Sequence, residues 1–260
     1  MSRVSKLLGF GVAIIWYAMR MTLSGRNLTA SERDVRISFI QQEAGKSLCS
    51  ILNVSVSVKG NADFDAPRLI VSNHVGLLDA WILASVFRAA FAAKLEIRSW
   101  PVVGWIGKAT GLIYVDRDKR MNTSTFVSAV QDRMRNDVGV LVFPEGTTNS
   151  GMELLPFKTG GFASVENMPR GVVIPVYIWA TKINDIGTNG SQRCLVGWPE
   201  NENMLQNAWK IVGYRSIEIE VLIGSLISTN GRDRKTLARL AQDQVDHLRR
   251  STIIEASEVV

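Results

Sequence analysis

Hydrophobic and polar positions change period several times along the 260-residue chain, and each change marks an expected element. Leu7 to Met19 carries no charge and lies between Arg3 and Lys6 on one side and Arg20 on the other. A bilayer crossing takes roughly 20 apolar residues, so this shorter run is expected to lie in the interface or re-enter. A tilted span and a cleaved signal are its rivals, although no A-x-A-like site follows. Trp16 and Tyr17 suit a headgroup belt and would also suit a core. Thr29-Ala-Ser-Glu32 has the capping-box spacing and predicts a helix to Cys49, with Val35, Phe39, Ile40, Ala44 and Leu48 near one face. Asn53 to Lys59 then alternates at period two, as a half-exposed strand does.

Leu69-Ile70-Val71 opens a series of short apolar runs. Others are Phe91 to Ala93, Leu112 to Val115, Val138 to Phe143, Val172 to Ile178 and Cys194 to Trp198. Helical patterns separate most of them, including Asn122 to Asn136, and such alternation predicts an α/β fold. Ile217 to Ile223 alternates as a strand. Asp233 to Arg250 is amphipathic, with Leu237, Leu240, Ala241, Val245 and Leu248 on one side and His247 at the surface. No Pro/Ser/Gly-rich linker or charge block divides the chain, so residues 1–50 are expected as a membrane-anchoring helical segment and 51–260 as one α/β domain.

A composition of 46% hydrophobic and 21% charged residues is rich for a soluble globule and poor for a polytopic membrane protein. The net charge of +6 points to an anionic partner. Basic residues form no run with interleaved aromatics, so a membrane surface or a phosphorylated substrate is favoured and no nucleic acid is expected. Cys49 and Cys194 make no disulfide framework and fit a reducing compartment. Only His74 and His247 join them, with no metal-ligand spacing, so no metal is expected.

The chemistry gathers at strand ends. The stretch Arg68 to Ser85 (RLIVSNHVGLLDAWILAS) reads as a buried strand entering a helix. His74 falls at the strand's carboxyl end and Asp79 in the first helical turn, the edge where open α/β sheets bind ligands. Five residues cover about 140° of helix, so the two can meet only if His74 precedes the helix in a turn that Asn73 and Gly76 allow. That arrangement suits a general base held in one tautomer by a carboxylate, while a histidine alone reads equally as a packing or capping residue. Gly111 to Arg120 runs out into Arg117, Lys119 and Arg120, which could hold an oxyanion unless Asp116 and Asp118 neutralise them. Val140 to Thr148 ends in Pro144, Glu145, Gly146, Thr147 and Thr148, and a basic, glycine-rich stretch with Lys158, Gly160 and Gly161 follows.

In combination these residues resemble the glycerolipid acyltransferase family, the 1-acylglycerol-3-phosphate O-acyltransferases and related lysophospholipid acyltransferases. Four blocks match in order: Asn73-His74-x4-Asp79, Gly111 to Arg117 (G-x-I-x-x-D-R), Phe143 to Thr147 (FPEGT) and Val173 to Tyr177 (VIPVY). Ala93 to Gly107 resembles the family's linking segment, with Lys94 at its basic position. The resemblance implies a mixed central sheet flanked by helices, with N-terminal membrane-associated helices. It also implies acyl transfer from acyl-CoA or acyl-carrier protein to the free hydroxyl of a lysolipid, with no cofactor. His74 and Asp79 would be catalytic. Arg117 would bind an acceptor phosphate, and Asn73, Lys94, Glu145, Gly146, Thr147 and Lys158 would complete the substrate site. The implied location is a membrane surface, the cytoplasmic face of the inner membrane if the chain is bacterial. Two positions depart from the pattern: Gly76 stands where serine is frequent, and Thr148 where many members carry arginine. The second departure removes a cation from the acceptor site, which tells against lysophosphatidic acid without excluding it and resembles members acting on lyso-ornithine lipid or lysophosphatidylethanolamine-type acceptors. A glycerol-phosphate-type acyltransferase and a catalytically silent lipid-binding partner are the alternatives.

Overall fold

The computed structural model describes residues 2–25, 27–61, 67–115, 123–149, 151, 153–188, 192, 195–199 and 202–258. Its centre is β2 (Arg68–Ser72), which pairs in parallel with β5 (Gly139–Val142) on one side and β6 (Val172–Ile183) on the other. Beyond β5 lie β3 (Ala89–Lys94) and β4 (Ile113–Val115), also parallel. Beyond β6 the direction reverses: β8 (Ile217–Ile223) pairs antiparallel with β6, and β1 (Val54–Lys59) parallels β8. The short strands β7 (Ile186–Gly187) and β9 (Ile227–Ser228) also pair with β6. The sheet is therefore mixed, in the order β1-β8-β6-β2-β5-β3-β4.

Seven helices flank it among the described residues: α1 (Arg3–Ser24), α2 (Ala30–Ile51), α3 (Asp79–Val86), α4 (Pro101–Thr110), α5 (Thr123–Arg135), α6 (Met204–Gly213) and α7 (Arg234–Glu258). Strand side chains alternate between faces, so β2 serves two cores at once. Ile70 joins Leu141, Ile174 and the α2, α3 and α6 layer, whereas Leu69 and Val71 join Val140, Val173 and the α5 and α7 layer. Burial on both sides explains why β2 reads as a continuous apolar run and β1, at the sheet's edge, alternates. Pro175 interrupts β6 without loss because it falls between the stretches paired to β9 and β8, while its carbonyl accepts from Gly224.

The capping box forms at Thr29 and Glu32, and α2 follows it. Its buried face centres on Ile37, Ile40, Ala44 and Leu48; Phe39 instead turns outward under the Arg88 guanidinium, 3.8 Å from its ring centroid. Cys194 lies outside the described residues, and the rest of its apolar run is not a strand: Leu195 and Val196 form a helical turn, and Gly197 to Pro199 are irregular. That run contacts the β2–α3 turn through backbone atoms, so its hydrophobicity reflects burial against a turn.

The N-terminal helices are packed into this architecture. At Gly45 of α2 a β-carbon would stand 2.5 Å from the Ser85 nitrogen and 2.8 Å from the Trp81 carbonyl oxygen, so only glycine permits the close crossing with α3. α1 extends well beyond its uncharged run and is held lengthwise. Lys6 is buried, donating to the carbonyls of Leu52 (3.0 Å) and Tyr214 (2.7 Å), and Phe10 meets Trp81 edge to face. Gly45→Ala should therefore destabilise the protein by about 1–3 kcal/mol despite alanine's better helix propensity, because the obstacle is backbone. Gly11→Ala in α1, where a β-carbon meets nothing within 4 Å, should be neutral or stabilising by up to about 1 kcal/mol. Thermal melting of the two variants checks this pair; a Gly45→Ala protein melting at or above the parent would show that α3 yields freely.

Candidate active site

The turn between β2 and α3 carries no regular secondary structure from Asn73 to Val75, and the backbone N–H and carbonyl of both His74 and Val75 are hydrogen-bonded. Asp79, 2% exposed, lies at the start of α3, where Leu78 supplies no side-chain cap. One oxygen of its carboxylate, Oδ2, accepts from the N–H groups of Val75 (2.6 Å) and Gly76 (2.9 Å) and lies 2.7 Å from His74 Nδ1. A negative charge at a helix N-terminus is also favoured by the helix dipole. A carboxylate at this distance assigns the imidazole proton to Nδ1 and leaves the Nε2 lone pair as the basic site. The ring stacks on Phe143, with centroids 4.0 Å apart and planes 13° from parallel.

Glu145 secures the turn from the β5 side. Its Oε1 accepts from the His74 N–H at 2.7 Å, and its Oε2 accepts from Asn149 Nδ2 (2.6 Å) and the Leu155 N–H (2.8 Å). The Asn149 N–H donates to the His74 carbonyl at 3.2 Å. Glu145 is 2% exposed, and both its oxygens serve protein donors rather than an acceptor. Burial pushes its carboxyl up to about 7, against the lowering pull of the Leu155 and His74 N–H groups. Gly146 makes the tight turn behind it, with φ of +79° and its N–H on the Phe143 carbonyl.

Asn73 also faces the protein. Its Nδ2 donates to the Ile178 carbonyl (2.9 Å) and its Oδ1 accepts from the Ile178 N–H (2.8 Å), extending the β2–β6 ladder by a side chain. Three of the remaining expected substrate residues have side chains that solvent reaches. Lys94 ends β3 at the carboxyl edge shared with β2 and is exposed; Thr147 is half-buried. Lys158 is exposed, and its N–H on the Pro144 carbonyl (2.8 Å) brings its segment back beside the Pro144–Thr147 turn. Arg117, with Asp116, Lys119 and Arg120, lies outside the described residues. The turn thus gathers His74, Asp79 and Glu145 tightly, with Thr147 and Lys158 on the adjoining segments and Lys94 at the end of a more distant strand. Phe143, named above only as part of the FPEGT block, stacks on His74, and Asn149, which sequence reasoning missed, bonds both Glu145 and the His74 carbonyl; its position directly after Thr148 was the available signal.

A carboxyl raised by burial makes the folded state hold more protons than the unfolded chain between about pH 4.5 and 7, so this group's contribution falls as pH rises through that window. Relative to Glu145→Gln, the parent should lose on the order of 1–3 kcal/mol of stability between pH 5 and pH 8. Denaturant melts of both proteins at the two pH values check it. An unchanged difference would mean that the three N–H donors offset burial completely.

The acyltransferase family model matches residues 53–179, from β1 into β6. The lyso-ornithine lipid O-acyltransferase of Brucella abortus (strain 2308) is 33% identical over 195 residues, 72% of this chain and 73% of that protein. The 1-acyl-sn-glycerol-3-phosphate acyltransferase of Neisseria meningitidis serogroup B is 35% identical over 124 residues, 47% of this chain and 48% of its own. The crystal structure of the 1-acyl-sn-glycerophosphate acyltransferase from Thermotoga maritima shares the fold, with a TM-score of 0.66 at 20% identity over 95% of this chain and 94% of that one. Alike in sequence through the His74 turn and in fold along nearly its whole length, the chain belongs to the acyltransferase family.

Proposed function

We propose that this acyltransferase moves a fatty acyl group from an acyl thioester to the free hydroxyl of a lysolipid, with His74 as general base. The observation that carries the reading is the 2.7 Å contact between His74 Nδ1 and the buried Asp79 carboxylate. Nε2 takes the proton of the acceptor hydroxyl as its oxygen attacks the thioester carbonyl carbon. The tetrahedral intermediate then expels the thiolate, and the imidazolium returns the proton to sulfur, leaving an ester and a free thiol. Asp79 stabilises the imidazolium between the two steps without taking its proton. A thioester is already activated, so no acyl-enzyme is required.

Acyl-CoA or an acyl-carrier protein thioester is the proposed donor. Lyso-ornithine lipid is the proposed acceptor, supported by the Brucella relative that aligns over most of both chains and by Thr148 in place of a cation. Lys94, Thr147, Lys158 and Arg117 are proposed to contact the acceptor headgroup. Purified protein with acyl-CoA and a panel of lysolipids, read by mass spectrometry of products, should yield an acylated ornithine lipid in excess of phosphatidate. His74→Ala should lower that rate by about 10²–10⁴-fold while the protein stays folded. More than about a third of parental turnover in that variant would return His74 to a capping role.

The lysolipid partitions into bilayers, and α1 supplies the proposed contact with them. Val4, Leu8, Val12, Ile15, Met19 and Leu23 recur at helical spacing along its exposed side, with Trp16 beside them. At 1.5 Å per residue the 22-residue helix is about 33 Å long. Its other side is attached to the domain by Lys6, so the stripe is proposed to lie along the lipid surface rather than cross it. Leu8→Ser, Val12→Ser and Ile15→Ser combined should lower sedimentation with anionic vesicles at least tenfold, since each buried aliphatic side chain contributes roughly 1.5–3 kcal/mol. Activity on vesicle-borne lysolipid should fall in parallel, and activity on a short-chain, water-soluble acceptor should persist. Undiminished vesicle binding would remove α1 from the membrane contact.

A further inference from the structure

The stretch from Val196 to Trp198 lies outside the matched family region and leans on the His74 turn through its backbone. The Trp198 N–H donates to the Val75 carbonyl at 2.7 Å. At Gly76 a β-carbon would stand 2.6 Å from the Val196 carbonyl oxygen, so a side chain there and this stretch exclude each other. The Val75 peptide groups are thus gripped from two directions. Its N–H reaches Asp79 within the turn, and its carbonyl reaches a segment that follows β7.

That segment is itself fixed by α6. Two donors converge on the Gly197 carbonyl: Nδ2 of the fully buried Asn207 and Nζ of Lys210, each at 2.9 Å. Both also donate to one oxygen of Glu202, at 2.7 Å each, and Trp198 Nε1 donates to the Glu202 carbonyl at 2.6 Å. A continuous run of hydrogen bonds and peptide units therefore leads from α6, through the Gly197–Trp198 peptide, to the Val75–Gly76 peptide, whose N–H donates to Asp79.

We propose that Asn207 and Lys210 are positioning residues for His74, acting through the Gly197 carbonyl and the Trp198–Val75 hydrogen bond. The proposal rests on His74 being the base. Displacements of about 1 Å at a reacting group cost up to about 10²-fold in rate, and a shift of the Val75 peptide moves His74 and both Asp79 contacts together. Since the base acts in the transition state, loosening it lowers kcat and leaves substrate binding in place.

The test uses the full-length protein with acyl-CoA and lyso-ornithine lipid, and compares Lys210→Met, Lys210→Arg and Asn207→Ala with the parent below their melting temperatures. Lys210→Met should lower kcat by about 10–100-fold with both KM values within about twofold, and Lys210→Arg should recover most of the loss. Built into His74→Ala, Lys210→Met should have no further effect on the residual rate, because the residue it positions is gone. The same fractional loss in both backgrounds would overturn the proposal, as would a raised KM with unchanged kcat. So would parental kcat in a folded Lys210→Met protein while His74→Ala is inactive, an outcome that leaves the base reading intact. An active His74→Ala protein would remove the base reading and this inference together. Should Lys210→Met fail to fold, Gly76→Ala applies the same displacement from the other end and carries the same expectations.

Discussion

One carboxylate oxygen accepting two backbone N–H groups and one imidazole proton is the constraint on which the rest of the site depends. Oδ2 of Asp79 closes the turn, starts α3 and fixes the His74 tautomer at once. Uniting these tasks in one buried atom has a physical advantage. The charge is desolvated, so its hydrogen bonds are strong, and each bond holds the carboxylate in place for the others. A single residue thereby couples chain direction to proton chemistry. Glu145 repeats the device after the neighbouring strand, with its own three N–H donors, and burial raises its carboxyl above the usual carboxylate range.

The sheet explains how so many charged and polar groups can meet there. β2 is covered on both faces by apolar layers, so its backbone cannot shift without opening two cores. Parallel pairing of β5 with β2 and of β3 with β5 brings the ends of all three strands to the same edge, with the Glu145 turn beside His74. The antiparallel β8 then returns the chain from α6 to β6.

Most of this frame was legible in the sequence because it depends on period and local chemistry. Leu69 to Val71, the Thr29 capping box and the alternation of Ile217 to Ile223 each declare an element through neighbouring residues. The need for His74 to precede the helix followed from helical geometry alone. What escaped depends on contacts between distant segments. Asn73 and Glu145 look like ligand-binding groups by residue type, yet their partners are the backbone of Ile178, His74 and Leu155, which no local pattern reveals. Phe39 fits its helical face by spacing but meets Arg88 rather than the core. Gly76 reads from sequence as a freer loop, whereas the Val196 carbonyl makes it a tightly confined one.

The buried ammonium of Lys6 has a geometric consequence. It works as a key in a spline: two carbonyls, one at the end of α2 and one just after α6, fix the rotation of α1 about its own axis. Each residue of an α-helix turns the next by about 100°. One residue inserted between Lys6 and Leu8 would put the key out of step by that angle with the inward-packed Phe10, Ala18 and Met21, so that seating the key would carry the apolar stripe away from its original heading and unseat them. The helix is therefore indexed rather than tethered, and the direction its outer face looks is decided inside the protein, at a lysine that solvent scarcely reaches.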